Sequence, residues 1–137
     1  QLRRPQNVLD VEALALGLVM VSADDARLNT ALAYTLERAP AAYRRASTDE
    51  FVRNAAGNVY FWYYGTLAMY QMGGDAWNQW NTRMLDAIIK PQRTDGNYRG
   101  SWDPADAWGE DGGRVYSTAL MTMCLEVYYR YESVFGK

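Results

Sequence analysis

Histidine is absent from the 137 residues of this chain, and cysteine occurs once. The first absence removes imidazole acid–base chemistry, Ser-His-Asp and Cys-His triads and most zinc sites. The second excludes an internal disulfide. Cys124 lies among Met121, Met123, Leu125 and Val127, where a buried inert thiol is expected. Charge is nearly balanced as well, at a net −2, which leaves no electrostatic footprint for nucleic acid or an anionic membrane. Long hydrophobic runs are also lacking: the longest, Ala13 to Ala23, is broken by Ser22 and is too short to span a bilayer. Asp10 and Glu12 interrupt anything resembling the apolar core of a signal peptide. The chain opens on Gln1 without a methionine, as expected of a piece processed or excised from a longer protein, and its compartment is left open.

What is present points to one all-α domain. Apolar residues make up 49% of the chain and aromatic residues 14%, enough to enclose a core and to exclude disorder. Val8 to Val21 reads as a helix that is apolar nearly all round, with Asp10 and Glu12 in its first turn. Ser22 or Asp24 caps a second helix running to about Arg38, with Ala26, Leu28, Leu32 and Leu36 inward, and Pro40 ends it. Ser47 to Val52 supplies one or two capped helical turns. Asn58 caps a strongly apolar helix from Val59 to Met72, which Gly73-Gly74 terminates. Asp75 caps the next, Ala76 to Lys90, with Trp77, Trp80, Met84, Leu85 and Ile88 as its apolar stripe and Pro91 as its stop. After the long loop Gln92 to Gly113, a last helix runs from Arg114 to about Glu132. The string Val59 to Tyr64 has strand propensity, but its continuation to Met72 without turn residues favours a helix.

A repeat unites these elements. Ala13-Leu14-Ala15-Leu16, Thr66-Leu67-Ala68-Met69 and Thr118-Ala119-Leu120-Met121 begin at intervals of 53 and 52 positions. Units spanning about 8–38 and 58–90 each pair an apolar helix with a more amphipathic one, as inner and outer helices of a curved array require, and 114–133 opens a third unit. Small residues (Gly17, Ala68, Ala119) would let neighbouring inner helices approach closely.

With that repeat, Gln92-x-x-x-Gly96-x-Tyr98 resembles the Gln-x-x-x-Gly-x-Trp motif of the α/α-toroid superfamily of terpenoid cyclases and protein prenyltransferases. Gly100-Ser101-Trp102, Gly112 to Leu120, Tyr63-Tyr64-Gly65-Thr66 and Gly73-Gly74-x-x-Trp77-x-x-Trp80-Asn81 narrow the likeness to bacterial proteins carrying prenyltransferase and squalene-oxidase-type repeats. The resemblance implies helical hairpins in a partial α/α toroid, since the chain offers only five or six helices. In such a motif glutamine satisfies carbonyls at a neighbouring helix end, glycine makes the turn, and the aromatic ring stacks between layers. The superfamily's chemistry does not carry over. Ser22-Ala23-Asp24-Asp25 lacks the first aspartate of the cyclase acid Asp-x-Asp-Asp, and the prenyltransferase zinc site needs a histidine. Cys124-Leu125-Glu126-Val127 does not match the Cys-Gly-Glu-Gln of thioester proteins.

Three groups of residues are candidates for function. Tyr60, Trp62, Tyr63, Trp102, Trp108 and Tyr116 lie near inner-helix starts or in the long loop, where they form an aromatic concavity or simply fill the core. Asp95, Asp103, Asp106, Glu110 and Asp111 make an acidic loop that could serve as acid and base or bind calcium, although turn and cap roles also explain it. Arg114 could clamp a carboxylate or pair with Asp111 or Asp103 to pin the loop. The functional expectation is a non-catalytic binding or interaction module of a larger bacterial protein, without cofactor or metal. It would take another domain, a partner protein, or an apolar or glycan ligand. The alternative is a lyase- or cyclase-type enzyme acting on a polysaccharide or isoprenoid, with Asp103 or Asp111 supplying the proton.

Overall fold

The first N–H groups of a helix have no partner one turn earlier and must find acceptors outside it. The computed structural model describes residues 26–37, 39–40, 43, 58–106 and 108–130. The expected helix Val8 to Val21, the caps Ser22 and Asp24, Leu14, Gly17 and the turns at Ser47 to Val52 lie outside the described residues. Among those described the order is α1 (Ala26–Glu37), α2 (Val59–Met72), α3 (Gly74–Ile89), a 3₁₀ turn (Gly96–Tyr98), α4 (Gly109–Leu125) and α5 (Val127–Arg130), with no strand. The protein is therefore all-α in its described part. No helix there is long and apolar enough to cross a membrane.

Asn58 caps α2 as its residue type predicts, its Oδ1 accepting from Tyr60 N at 3.0 Å and Phe61 N at 3.2 Å. Val59, Phe61, Trp62, Thr66 and Met69 are then completely enclosed, so α2 is the central helix of the core. It packs against α3, α4 and α5, while α1 packs on α3. The stripe on α3 falls as its spacing predicts: Trp80, Met84 and Ile88 are fully buried and Trp77 and Leu85 half so, with Arg83 and Asp86 outside.

Three local details differ from the sequence expectation. α3 starts at Gly74 with Gly73 at its cap, and Asp75 stands in the first turn without capping. Gly73 (φ 66) and Gly74 (φ 53) reverse the chain in one step: Gly73 N closes α2 on Met69 O, and Gly73 O accepts Trp77 N to open α3. In α4 a short helical turn from Gly109 precedes the last helix, which starts at Arg114 as expected after the non-helical Gly113 (φ 62) but stops at Leu125, with Val127–Arg130 a separate turn. Ala119 is exposed, so it provides no close helix approach, whereas Ala68 is 1% exposed. The tightest approach involves Gly65, where an added Cβ would meet Trp80 at 2.3 Å.

Candidate functional site

The loop between α3 and α4 is held by its own groups and by both helices it joins. Arg93 N donates to Ser101 O at 2.9 Å and Gly100 N to Arg93 O at 2.7 Å, closing the turn that contains Gly96. The Gln92 amide donates to Gly100 O at 3.1 Å, within its own loop rather than at a neighbouring helix end. Trp102 takes that bridging role: its indole N–H donates to Ile88 O at 2.7 Å, and its backbone N to Thr118 Oγ1 at 3.3 Å. The last turn of α3 is thereby tied to α4. Trp102 is 2% exposed and fills the core between them, while Tyr98, the expected inter-layer ring, is 55% exposed. The reason is register: Trp102 follows the closed turn and points inward, leaving Tyr98 at its tip.

From Trp102 the chain runs across the starts of α2 and α4. Asp103 pairs with Arg114 and, at 3.3 Å, with Arg93, while Arg114 also donates to Ser101 Oγ at 2.9 Å. The hydrogen bond from Arg114 holds the Asp103 carboxyl below the usual carboxylate range despite some desolvation. The guanidinium of Arg114 lies 4.1 Å from the centroid of the Tyr98 ring. Tyr43 reaches the same strap from across the chain, its hydroxyl donating to Asp103 O at 2.7 Å and accepting from Ala105 N at 3.0 Å. Burial raises the pKa of that phenol. Asp106, 5% exposed, accepts from Val59 N at 3.3 Å through Oδ2, and its own carbonyl accepts Gly109 N at 3.0 Å. One residue thus serves the N-termini of α2 and α4. Desolvation outweighs these bonds and raises its pKa. Its Oδ1 and Asn58 Nδ2 are buried without a hydrogen-bond partner.

The expected aromatic residues divide by burial. Trp62 and Trp102 are enclosed, with Trp62 edge-on to Tyr43 at 5.9 Å between centroids. Tyr60 and Tyr63 are half-buried and each meets Tyr64 edge-on, at 4.9 and 5.0 Å. Tyr116 is half-buried against Gly112, where a Cβ would come within 2.5 Å of it. Trp108 is 48% exposed and Asp111 is exposed, at the start of α4. Arg114 pairs with Asp103, and the loop is pinned as one of the two readings of that arginine required.

Tyr43 and Tyr98 were not singled out as site residues by sequence reasoning, whereas Asp106 was one of the acidic-loop candidates. Tyr43 lies 60 residues from its partner, and no local pattern announces such a pairing. Tyr98 had a signal, its place in the Gln92-to-Tyr98 motif, which pointed to the wrong layer. Among the described residues, no group of three or more histidine, cysteine, aspartate or glutamate side chains could hold a metal ion. Comparison with protein-family models, characterised proteins and solved structures finds no match.

Proposed function

We propose that this chain is a non-catalytic binding or interaction module of a larger bacterial protein, built on a partial α/α-toroid-like helical repeat. The contact surface is the loop-covered end, where Tyr98, Trp108 and Val115 are presented around the start of α4. The observation that carries the reading is their exposure, at 55%, 48% and 81%, beside a loop in which Arg93, Asp95 and Asp103 are joined to one another and to Arg114. Exposed large apolar side chains on an internally fastened loop suit recognition of a partner surface, because little ordering is required on binding. The packing of α2 on both α3 and α4, with α1 on α3, is consistent with alternating inner and outer helices and supports the toroid-like reading.

Hydrogen exchange of the isolated chain and of the same residues within the parent protein tests this. Slower exchange at 96–100 and 108–116 in the parent, abolished by Tyr98→Ser with Trp108→Ser, is the expected result. Equal exchange in both settings, with no partner or ligand lost on double substitution, would refute it.

A further inference from the structure

We infer that Asp95–Gly96 is a modification site, where the aspartate isomerises spontaneously to isoaspartate and Arg93 holds the reaction back. This chemistry belongs to the loop itself and does not rest on its reading as a contact surface. The sequence contains two Asp-Gly steps, Asp95–Gly96 and Asp111–Gly112. Glycine after aspartate favours the reaction because no side chain shields its backbone nitrogen from the preceding carboxyl. The Gly96 nitrogen attacks Asp95 Cγ to form a cyclic imide, and the amide proton leaves with the carboxyl hydroxyl as water. Another water then opens the ring. Attack at Cγ restores aspartate. Attack at the main-chain carbonyl carbon of Asp95 breaks its bond to nitrogen and leaves the chain running through Cβ and Cγ. Nothing is oxidised or reduced, and water is the only co-reactant.

The structure separates the two steps. Residues 94–100 are all exposed, so no buried side chain holds the loop tip in place. Gly96 opens the 3₁₀ turn, and its N–H meets no acceptor among the described residues. Asp95 is extended (φ −126, ψ 157), so ring closure needs a rotation about ψ that this free tip permits. Asp111 and Gly112 are also exposed, but Gly112 N donates to Trp108 O at 2.9 Å in the first turn of α4. Gly112 is also pressed against Tyr116, where a Cβ would come within 2.5 Å. Its nitrogen is committed and its rotation blocked. At Asp95 the restraint comes from Arg93, whose Nε donates to Oδ1 at 3.1 Å and Nη2 to Oδ2 at 3.3 Å. Moving Cγ onto Gly96 N breaks that pair. Both side chains meet water, at 38% and 72% exposure, so the restraint slows the reaction without preventing it. Isomerisation lengthens the main chain by a methylene between Arg93 and Tyr98, so the ion pair and the turn presenting Tyr98 change together.

Folded protein kept near neutral pH in heavy-oxygen water tests this, because each opening of the imide leaves a heavy oxygen at the site. Electron-based peptide fragmentation then distinguishes isoaspartate from aspartate. Label should enter at Asp95 about fivefold faster than at Asp111, the worth of the Gly112 hydrogen bond, and at about equal rates in concentrated urea. Arg93→Gln should speed labelling at Asp95 about threefold. Asp103→Asn removes the other carboxylate partner of Arg93 and should give no acceleration, which separates loss of the restraint from general loosening of the loop. Asp95→Glu should abolish labelling there, since the longer side chain must close a larger ring. Equal labelling of Asp95 and Asp111 in the folded protein, or none at Asp95 over the time that labels the unfolded chain, would overturn the assignment. So would an Arg93→Gln rate that is unchanged, or that Asp103→Asn matches.

Discussion

Replacing Gly65 by alanine should destabilise the fold, the opposite of the usual effect inside a helix. Gly65 sits in the middle of α2, where alanine is ordinarily favoured by about 1 kcal/mol. Here the added Cβ would lie 2.3 Å from Trp80 Cη2 and 2.5 Å from its Cζ2, inside any allowed contact. Trp80 cannot step aside freely, being fully enclosed with its indole N–H donated to Thr66 Oγ1 at 2.9 Å. Thr66 Oγ1 in turn lies 3.1 Å from Met84 Sδ, so a shift of the ring disturbs the contact between α2 and α3. Overpacking of this kind costs about 1–3 kcal/mol, and losing the indole hydrogen bond adds about 1 kcal/mol. Set against the propensity gain, the net loss is about 1–3 kcal/mol. Urea denaturation of Gly65→Ala, Trp80→Phe and the double variant measures it. Phenylalanine lacks the outer ring atoms that clash, so the double variant should lose less than the two single losses combined. A Gly65→Ala protein as stable as the parent, or strictly additive losses, would refute the close-approach argument.

Asn58→Ala leaves the Tyr60 and Phe61 N–H groups without their side-chain acceptor, and an equilibrium denaturation curve should register about 1–2 kcal/mol of lost stability. The two strap carboxylates should give opposite pH dependences. Asp103 has a lowered pKa, so its contribution is present above the ordinary carboxylate value and lost as pH falls through the lowered one; the deficit of Asp103→Asn should disappear in acid. Asp106 has a raised pKa, so its contribution is complete below the ordinary value and lost as pH rises through the raised one. Stability of Asp106→Asn measured against pH should lack that decline, and a curve parallel to the parent's would contradict the assignment. Burial pushes the Cys124 thiol up to about 12, so a thiol reagent at pH 8 should label it only at the rate of unfolding; fast labelling of folded protein would show an open path to the sulfur.

How much could be read from sequence follows from the range of each interaction. The Asn58 cap and the Trp80, Met84, Ile88 stripe were legible because each is decided within a turn or two of its own helix. The direct Gly73 link was not, since Asp75 carries an equally good cap signature and only the reversal of the chain at two positive-φ glycines decides against it. Ala119 and Ala68 were both read as close-approach residues, yet Ala119 aligns with Leu67 and faces outward, while Ala68 aligns with Leu120 and faces inward. Composition cannot separate them, because which face of a helix meets its neighbour is set by tertiary packing. The carboxylates of the acidic loop were visible as a group. Their division into an arginine-bound Asp103 and a buried Asp106 depends on partners at Arg114 and Val59.

That division bears on acid catalysis. A carboxyl group that protonates a substrate must hold its proton near working pH and also reach the substrate. Asp103 has the access, its side chain being 48% exposed, but Arg114 and Arg93 favour its ionised form. Asp106 holds a proton more readily, yet it is 5% exposed and its Oδ2 accepts the Val59 N–H at the start of α2. The two requirements fall on separate residues three positions apart. Uniting them on Asp106 would mean lifting the strap from Val59, with Tyr43 released from Asp103 and Ala105. Uniting them on Asp103 would mean breaking both arginine contacts. Either change dismantles the anchoring of the loop that presents Tyr98 and Trp108.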